Sequence, residues 1–240
     1  MKYSYSDYAY GYKTSYEDKA ADPSAKTVPF AVVEAYKAIR TNVMFLLSNS
    51  RSRTFEISSS LPGEGKSSCA VNLAIAFSQL GNKILLIDAD LRKPSVYRKL
   101  RLQNTKGLSS VLVGFCEFSE AVAHVNPNFD VLVSGPTPPN PSELLGSDAM
   151  TQLLESVKDQ YDYVIIDTPP VNVVSDAVIL APKTEGIVMV VQDRTTTHDQ
   201  FSKAVSALSF ANARLLGVVL NSSSDNSAKY YPSKSHRYQY

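Results

Sequence analysis

The chain has 240 residues, 44% of them hydrophobic, with a formal net charge of +1. Such a length supports one large domain with tails, and a near-neutral balance without any block of like charges argues against a nucleic-acid surface. No apolar run approaches ~18 residues, the opening M-K-Y-S-Y-S-D-Y has no signal-peptide core, and Cys69 and Cys116 lack metal-ligand spacing, so a cytoplasmic chain with Cys69 as a small core residue is expected.

Residues 1–28 carry Tyr3, Tyr5, Tyr8, Tyr10, Tyr12 and Tyr16 but few aliphatic side chains, the composition of a disordered or loosely docked arm. From Phe30 to Leu47 the pattern is helical: Val32, Tyr36, Ile39, Val43, Met44 and Leu47 share one side, Glu34 and Lys37 lie opposite, and Arg40 falls near the border. Phe55 and Ile57 begin a strand, a run of Ser, Pro and Gly interrupts it, and a second helix starts at Ser67. Five aliphatic runs follow, K-I-L-L-I-D-A-D, F-D-V-L-V-S-G, Y-D-Y-V-I-I-D-T-P-P, G-I-V-M-V-V-Q and R-L-L-G-V-V-L-N. Their near-continuous hydrophobicity predicts strands covered on both faces, as in a doubly wound α/β fold with a mainly parallel sheet flanked by helices. Helices are predicted at Gly107–Val113, Ser119–His124, Pro141–Tyr161, opened by an Asn140 N-cap and a proline at the first position, and Thr197–Ala211. The domain thus spans 29–221, and 222–240 is a polar tail with Tyr230, Tyr231, Tyr238 and Tyr240. Arm and tail together hold ten of the fourteen tyrosines, where there is little core for a ring to join.

The chemistry concentrates where the first strand meets its helix. In S-L-P-G-E-G-K-S, Gly63 and Gly65 let the backbone come close to a polyphosphate, and the helix N-terminus supplies unpaired N–H groups and positive potential. Lys66 can reach the β- and γ-phosphates and the Ser67 hydroxyl can ligate magnesium. Ser60 stands where the first glycine of G-x-x-x-x-G-K-[ST] belongs. Asp88 and Asp90 follow one aliphatic run and Asp167 ends another, so three carboxylates arrive at the sheet edge where open α/β folds bind ligands. A carboxylate there can orient Mg²⁺ or take a proton from an acceptor hydroxyl.

The loop, together with I-L-L-I-D-A-D-L-R-K-P and V-I-I-D-T-P-P, resembles the Walker A, A′ and B segments of the bacterial tyrosine kinases, the cytoplasmic kinases of capsular and exopolysaccharide biosynthesis. The likeness extends to G-L-S-S-V-L, P-P-N-P-S-E-L-L, V-S-D-A, the terminal tyrosines and the helix Glu34-x-x-Lys37-x-x-Arg40, over about residues 30 to 240. Partition-type ATPases, which as nucleotide-switched scaffolds binding a membrane partner form the alternative reading, carry an extra loop lysine where this chain has Leu61.

The resemblance implies a P-loop fold and tyrosine autophosphorylation from ATP and Mg²⁺. Pro62, Gly63, Glu64, Gly65, Lys66, Ser67 and Ser68 would form the nucleotide loop, and Asn221 would contact adenine. Lys66 would neutralise the transferring phosphate, Asp88 would be the base, and Ser67, Asp90 and Asp167 would hold magnesium. Tyr230, Tyr231, Tyr238 and Tyr240 would be phosphoacceptors, modified between subunits. Glu34, Lys37 and Arg40 would mediate a homo-oligomer, ring-shaped in the family, with Lys37 replacing the usual arginine. Implied partners are a membrane-embedded chain-length regulator that recruits and activates the kinase at the inner membrane face, and a cognate tyrosine phosphatase.

Overall fold

The computed structural model describes residues 29–222, so the N-terminal arm and the tail tyrosines Tyr230, Tyr231, Tyr238 and Tyr240 lie outside the described residues. Helix α1, Phe30–Leu46, precedes strand β1, Thr54–Ser59, and the loop after it runs into α2, Lys66–Ser78. Then come β2 (Ile84–Asp88), α3 (Val96–Leu100), α4 (Leu108–Leu112), α5 (Phe118–Ala121), β3 (Val122–Asn126) and β4 (Phe129–Leu132). The second half holds α6 (Pro141–Gly146), α7 (Asp148–Val157), β5 (Tyr163–Asp167), α8 (Asp176–Leu180), β6 (Ile187–Gln192), α9 (His198–Phe210) and β7 (Leu215–Asn221).

Seven strands form one sheet in the order β3-β4-β2-β5-β1-β6-β7, all parallel except β3. Alternate side chains of the central strands enter different cores. Phe55, Ile57, Leu86 and Ile165 pack with Phe77 and Leu73 of α2 on one face, while Leu85, Ile87, Val164 and Ile166 pack with Met150 and Leu154 of α7 on the other. That two-sided burial is why these strands read as unbroken aliphatic runs rather than alternating ones. Val43 on α1 and Leu47 just after it are buried, and Val32, Tyr36, Ile39 and Met44 pack against the first core, the face expected from their spacing.

Two predicted helices are corrected. The stretch Ser119–His124 is helical only to Ala121, after which Val122–Asn126 forms an antiparallel hairpin with β4. The β-branched Val122 and Val125 favour extension, Asn126 Oδ1 accepts the Asn128 N–H at 2.8 Å in the turn, and His124 meets Asp130 across the pair at 2.6 Å. The single helix predicted over 141–161 is two, because Ser147 is extended (φ −65°, ψ 162°) and its hydroxyl accepts the Met150 N–H to start α7. Helices α3 and α8, five residues each, show little of a period and went unpredicted.

Gly107 shows how tightly α4 docks on the sheet. A Cβ there would lie 2.2 Å from the Val133 carbonyl oxygen and 2.4 Å from the Gly135 nitrogen, both backbone atoms. The docking is made by Leu108 and Ser109 N–H groups donating to Val133 and Ser134 at 2.7 and 2.9 Å. Gly107→Ala is therefore expected to destabilise the fold by about 2–3 kcal/mol, since neither backbone can move without losing those bonds. Urea denaturation measures it; a midpoint equal to wild type would contradict this packing.

Candidate nucleotide and phosphoryl-transfer site

Strands β2 and β5 are parallel neighbours in a register that sets Asp88 opposite Asp167, and β1, beside β5, ends in the glycine loop. Pairing thus brings the glycine loop, Asp88 and Asp167, from three separate stretches of the chain, to the C-terminal edge of the sheet. A cavity of about 770 Å³ opens there, within the size range of small-molecule sites.

The loop bends through Gly63 (φ 88°) and Gly65 (φ 97°), both in the left-handed region, whereas Ser60 stays outside it and needs no glycine. A Cβ at Gly65 would fall 2.1 Å from Asn221 Nδ2. That amide donates to the Glu64 carbonyl at 2.9 Å, tying the end of β7 to the loop. The Glu64 carboxylate points away from the cavity: one oxygen accepts the Leu61 N–H at 2.9 Å and the other the Thr196 hydroxyl, so Glu64 could face a phosphate only through its backbone. Pro62, Gly63, Gly65, Lys66, Ser67, Ser68 and Asn221 all line the cavity.

Lys66 Nζ donates to Asp90 Oδ2 at 2.9 Å and to Asp167 Oδ1 at 3.4 Å, and lies 3.3 Å from the Ser67 hydroxyl. Burial works against its charge, but the carboxylates of Asp167, Asp90 and Asp88 outweigh it and hold the ammonium above the ordinary lysine range. Asp167 is fully buried, and burial raises its pKa despite the opposing Lys66 charge. Its Oδ2 has no hydrogen-bond partner among the described residues.

Asp88 and Asp90 differ sharply although they are two residues apart. Asp88 is sealed at 0% exposure, its Oδ1 accepting the Asp90 N–H at 3.2 Å and its Oδ2 those of Ser95 and Val96 at 3.2 and 3.0 Å. Burial, then the Asp167 charge, pushes its pKa up to about 8. Asp90 lines the cavity, with Oδ1 accepting the Lys93 N–H at 2.9 Å.

The residues fit a magnesium–nucleotide ligand. Among the described residues no three His, Cys, Asp or Glu side chains converge as a metal cage. Mg²⁺ in phosphate sites is held by one or two carboxylates with waters and phosphate oxygens, and the unpaired Asp167 oxygen, Asp90 and the Ser67 hydroxyl are the donors such an ion uses. Sequence reasoning left out Lys93, Lys99 and Tyr36 on the cavity wall. Lys93 lay within the quoted L-R-K-P segment; Lys99, whose Nζ is 3.1 Å from the Ser68 hydroxyl, arrives on α3 with no sequence signal.

The three residues Glu34, Lys37 and Arg40 do not converge. Glu34 and Lys37 pair with each other at 2.7 Å and are partly exposed, while Arg40 turns inward and donates to the Ala76 carbonyl of α2 at 2.7 Å. Among the described residues no helix is long and apolar enough to cross a membrane.

Fold and loop together define a P-loop nucleotide-binding domain of the α/β class, and residues 52–209 match the AAA domain family. The chain is 46% identical over 189 residues to tyrosine-protein kinase YwqD of Bacillus subtilis, covering 78% of this chain and 80% of that protein. It is 36% identical to tyrosine-protein kinase CpsD of Streptococcus agalactiae, covering 82% and 86%. Among solved structures, the kinase domain of Escherichia coli tyrosine kinase ETK superposes with a TM-score of 0.78 at 32% identity, covering 92% of this chain and 88% of that one. The chimerical protein CapA2B2 gives 0.75 at 41%, covering 78% and 83%. The chain belongs to the bacterial tyrosine kinases of capsular and exopolysaccharide biosynthesis, and its activity is that of a protein-tyrosine kinase. A ParA family ATPase from Chlorobium tepidum, at 19% identity and a TM-score of 0.62, shares the fold alone, which leaves the partition-type scaffold as the weaker reading.

Proposed function

We propose that the chain is an autokinase that transfers the γ-phosphoryl group of Mg·ATP to tyrosines of its own C-terminal tail, between neighbouring copies, and so regulates capsular or exopolysaccharide export. The observation that carries this reading is Lys66 held between Asp90 and Asp167 at the mouth of the glycine loop. In transfer, a tyrosine hydroxyl oxygen attacks the γ-phosphorus, the bond to the β,γ-bridging oxygen breaks, ADP leaves, and the phenolic proton passes to a carboxylate. Lys66 and the loop N–H groups would hold the β- and γ-phosphates, Ser67, Asp90 and Asp167 would hold the magnesium, and Asn221 would border the base. The ion, when bound, neutralises charge developing on the phosphate oxygens. Asp88, whose carboxyl burial and the Asp167 charge push up to about 8, is the proposed base.

The tail 226–240 carries Lys229, Lys234 and Arg237 and no acidic side chain, so it is drawn to a nucleotide-loaded site, where the phosphates add negative charge to a cavity lined by Lys66, Arg92, Lys93, Lys99 and Asp90. Each phosphotyrosine adds about −1.5 to −2 charge, which repels the product from that site. Mixing a tail-deleted active chain with a Lys66→Met chain is expected to label Tyr230, Tyr231, Tyr238 or Tyr240 of the inactive molecule, as read by mass spectrometry. An unlabelled inactive chain rules out transfer between molecules.

Glu34, Lys37 and Arg40 are the proposed self-association surface, and a membrane-embedded chain-length regulator the proposed activator that brings the kinase to the inner membrane face. A cognate tyrosine phosphatase would reset the tail. Adding the regulator's cytoplasmic segment is expected to raise the phosphorylation rate about tenfold or more; equal rates with and without it would mark an autonomous kinase.

A further inference from the structure

Three segments that the kinase reading quotes but leaves without work, L-R-K-P, P-P-N-P-S-E-L-L and V-S-D-A, meet at one buried carboxylate. Asp176, the first residue of α8, is fully buried. Arg92 grips it in two places, Nε to Oδ2 at 3.0 Å and Nη2 to Oδ1 at 3.2 Å. The Ser142 hydroxyl, at the start of α6, donates to Asp176 Oδ1 at 2.6 Å and lies 2.7 Å from Arg92 Nη2. The fork uses the planar geometry that distinguishes arginine from lysine. Ser142 and Asp176 lie outside the cavity lining, whereas Arg92 borders it.

We infer that Arg92, Asp176 and Ser142 form a positioning clamp for the loop that carries Asp90. Only Leu91 separates Asp90 from Arg92, and Leu91 is buried in the core beneath α7. Both ends of the segment are held by Asp88, which accepts N–H groups of Asp90 at one end and of Ser95 and Val96 at the other. The outward side of the loop is held by Arg92. Between these anchors Asp90 has one place to be, 2.9 Å from Lys66 Nζ. Stability alone is a weak reason to keep such a group, because a buried ion pair is often no better than an apolar substitute, while a fixed geometry at a phosphate site is worth much more. The inference rests on the proposed role of Lys66 and Asp90 at the transferring phosphate.

The test uses the full chain with four variants: Arg92→Lys, Asp176→Asn, Ser142→Ala and, as control of the site itself, Lys66→Met. Single-turnover autophosphorylation is measured alongside binding of a fluorescent ADP analogue and thermal unfolding. A positioning role predicts a 10–100-fold slower transfer step in Arg92→Lys and Asp176→Asn, and a smaller loss in Ser142→Ala. Nucleotide affinity should stay within about threefold of wild type. Combining Arg92→Lys with Asp176→Asn should cost no more than either alone, since both release the same loop. Ser142→Ala removes a single hydroxyl and keeps the test usable should Asp176→Asn fail to fold. Wild-type transfer in Arg92→Lys overturns the inference. So does a slow Arg92→Lys beside unimpaired Asp176→Asn and Ser142→Ala, which would make Arg92 a direct phosphate contact. Losses of transfer that match losses of affinity overturn it too. If Lys66→Met itself transfers normally, the site reading falls rather than the clamp.

Discussion

Lys66→Met is expected to slow tyrosine phosphorylation by about 10²–10³-fold or more while the protein stays folded. The methionine keeps most of the aliphatic length of the side chain and removes the ammonium that pairs with both Asp90 and Asp167, with Asp167 at 0% exposure. Breaking a buried pair leaves an uncompensated carboxylate, at a cost of about 3 kcal/mol at neutral pH. That cost should depend on pH with a definite sign. Burial already raises the Asp167 pKa, and the loss of the lysine charge raises it further. A carboxyl whose folded pKa exceeds its unfolded value favours the folded state in acid and loses that contribution as pH rises through the carboxylate range. The melting-temperature deficit of Lys66→Met relative to wild type should therefore be small at pH 5 and widen towards pH 8. Wild-type labelling of the variant would falsify the phosphate-loop assignment; a deficit independent of pH would show that the carboxylates carry no stranded charge.

Asp88→Asn and Asp90→Asn should both lose phosphorylation, about 10²-fold or more, and each should lose stability, for different reasons. Both oxygens of Asp88 are occupied by N–H groups from Asp90, Ser95 and Val96. An asparagine offers one oxygen and turns two amide hydrogens towards the remaining donors. Leaving a buried N–H group unsatisfied costs about 1–3 kcal/mol, which in a domain of this size lowers the melting temperature by several degrees. Asp90→Asn keeps an oxygen for the Lys93 N–H but turns an amide towards Lys66, which is left with Asp167 as its carboxylate partner. Activity assays alone cannot separate a missing base from a collapsed loop, so thermal unfolding has to accompany them. An Asp88→Asn protein as stable as wild type would mean that its side chain does not hold the loop. An active one would remove Asp88 from the chemistry.

Much of the architecture was legible because it is local. The runs around Leu86, Ile165 and Val188 are aliphatic without interruption, since both faces of a parallel strand are covered. Gly63, Gly65 and Lys66 announce a phosphate loop because left-handed turns and a lysine at a helix start are needed whatever the rest of the fold does. Thr197 begins α9 with a reciprocal cap to Gln200, again a short-range signal. Helices α3 and α8 escaped because five residues show little of a 3.6-residue period, although the equally short α4 was predicted, and β3 escaped because its pairing with β4 outweighed a helix-compatible composition.

By itself the sequence determined which residue types stand at which strand ends: a lysine after the glycine loop, aspartates closing β2 and β5, an arginine two places after Asp90. Only the tertiary structure decided what they do to one another. Strand order and register put Asp88 across from Asp167, sealed Asp88 under backbone donors while Asp90 faced the cavity, and joined Arg92 to Ser142 and Asp176 across fifty and eighty-four residues of chain. Such pairings depend on distances through space, which parallel crossover connections set and which separation along the chain does not encode.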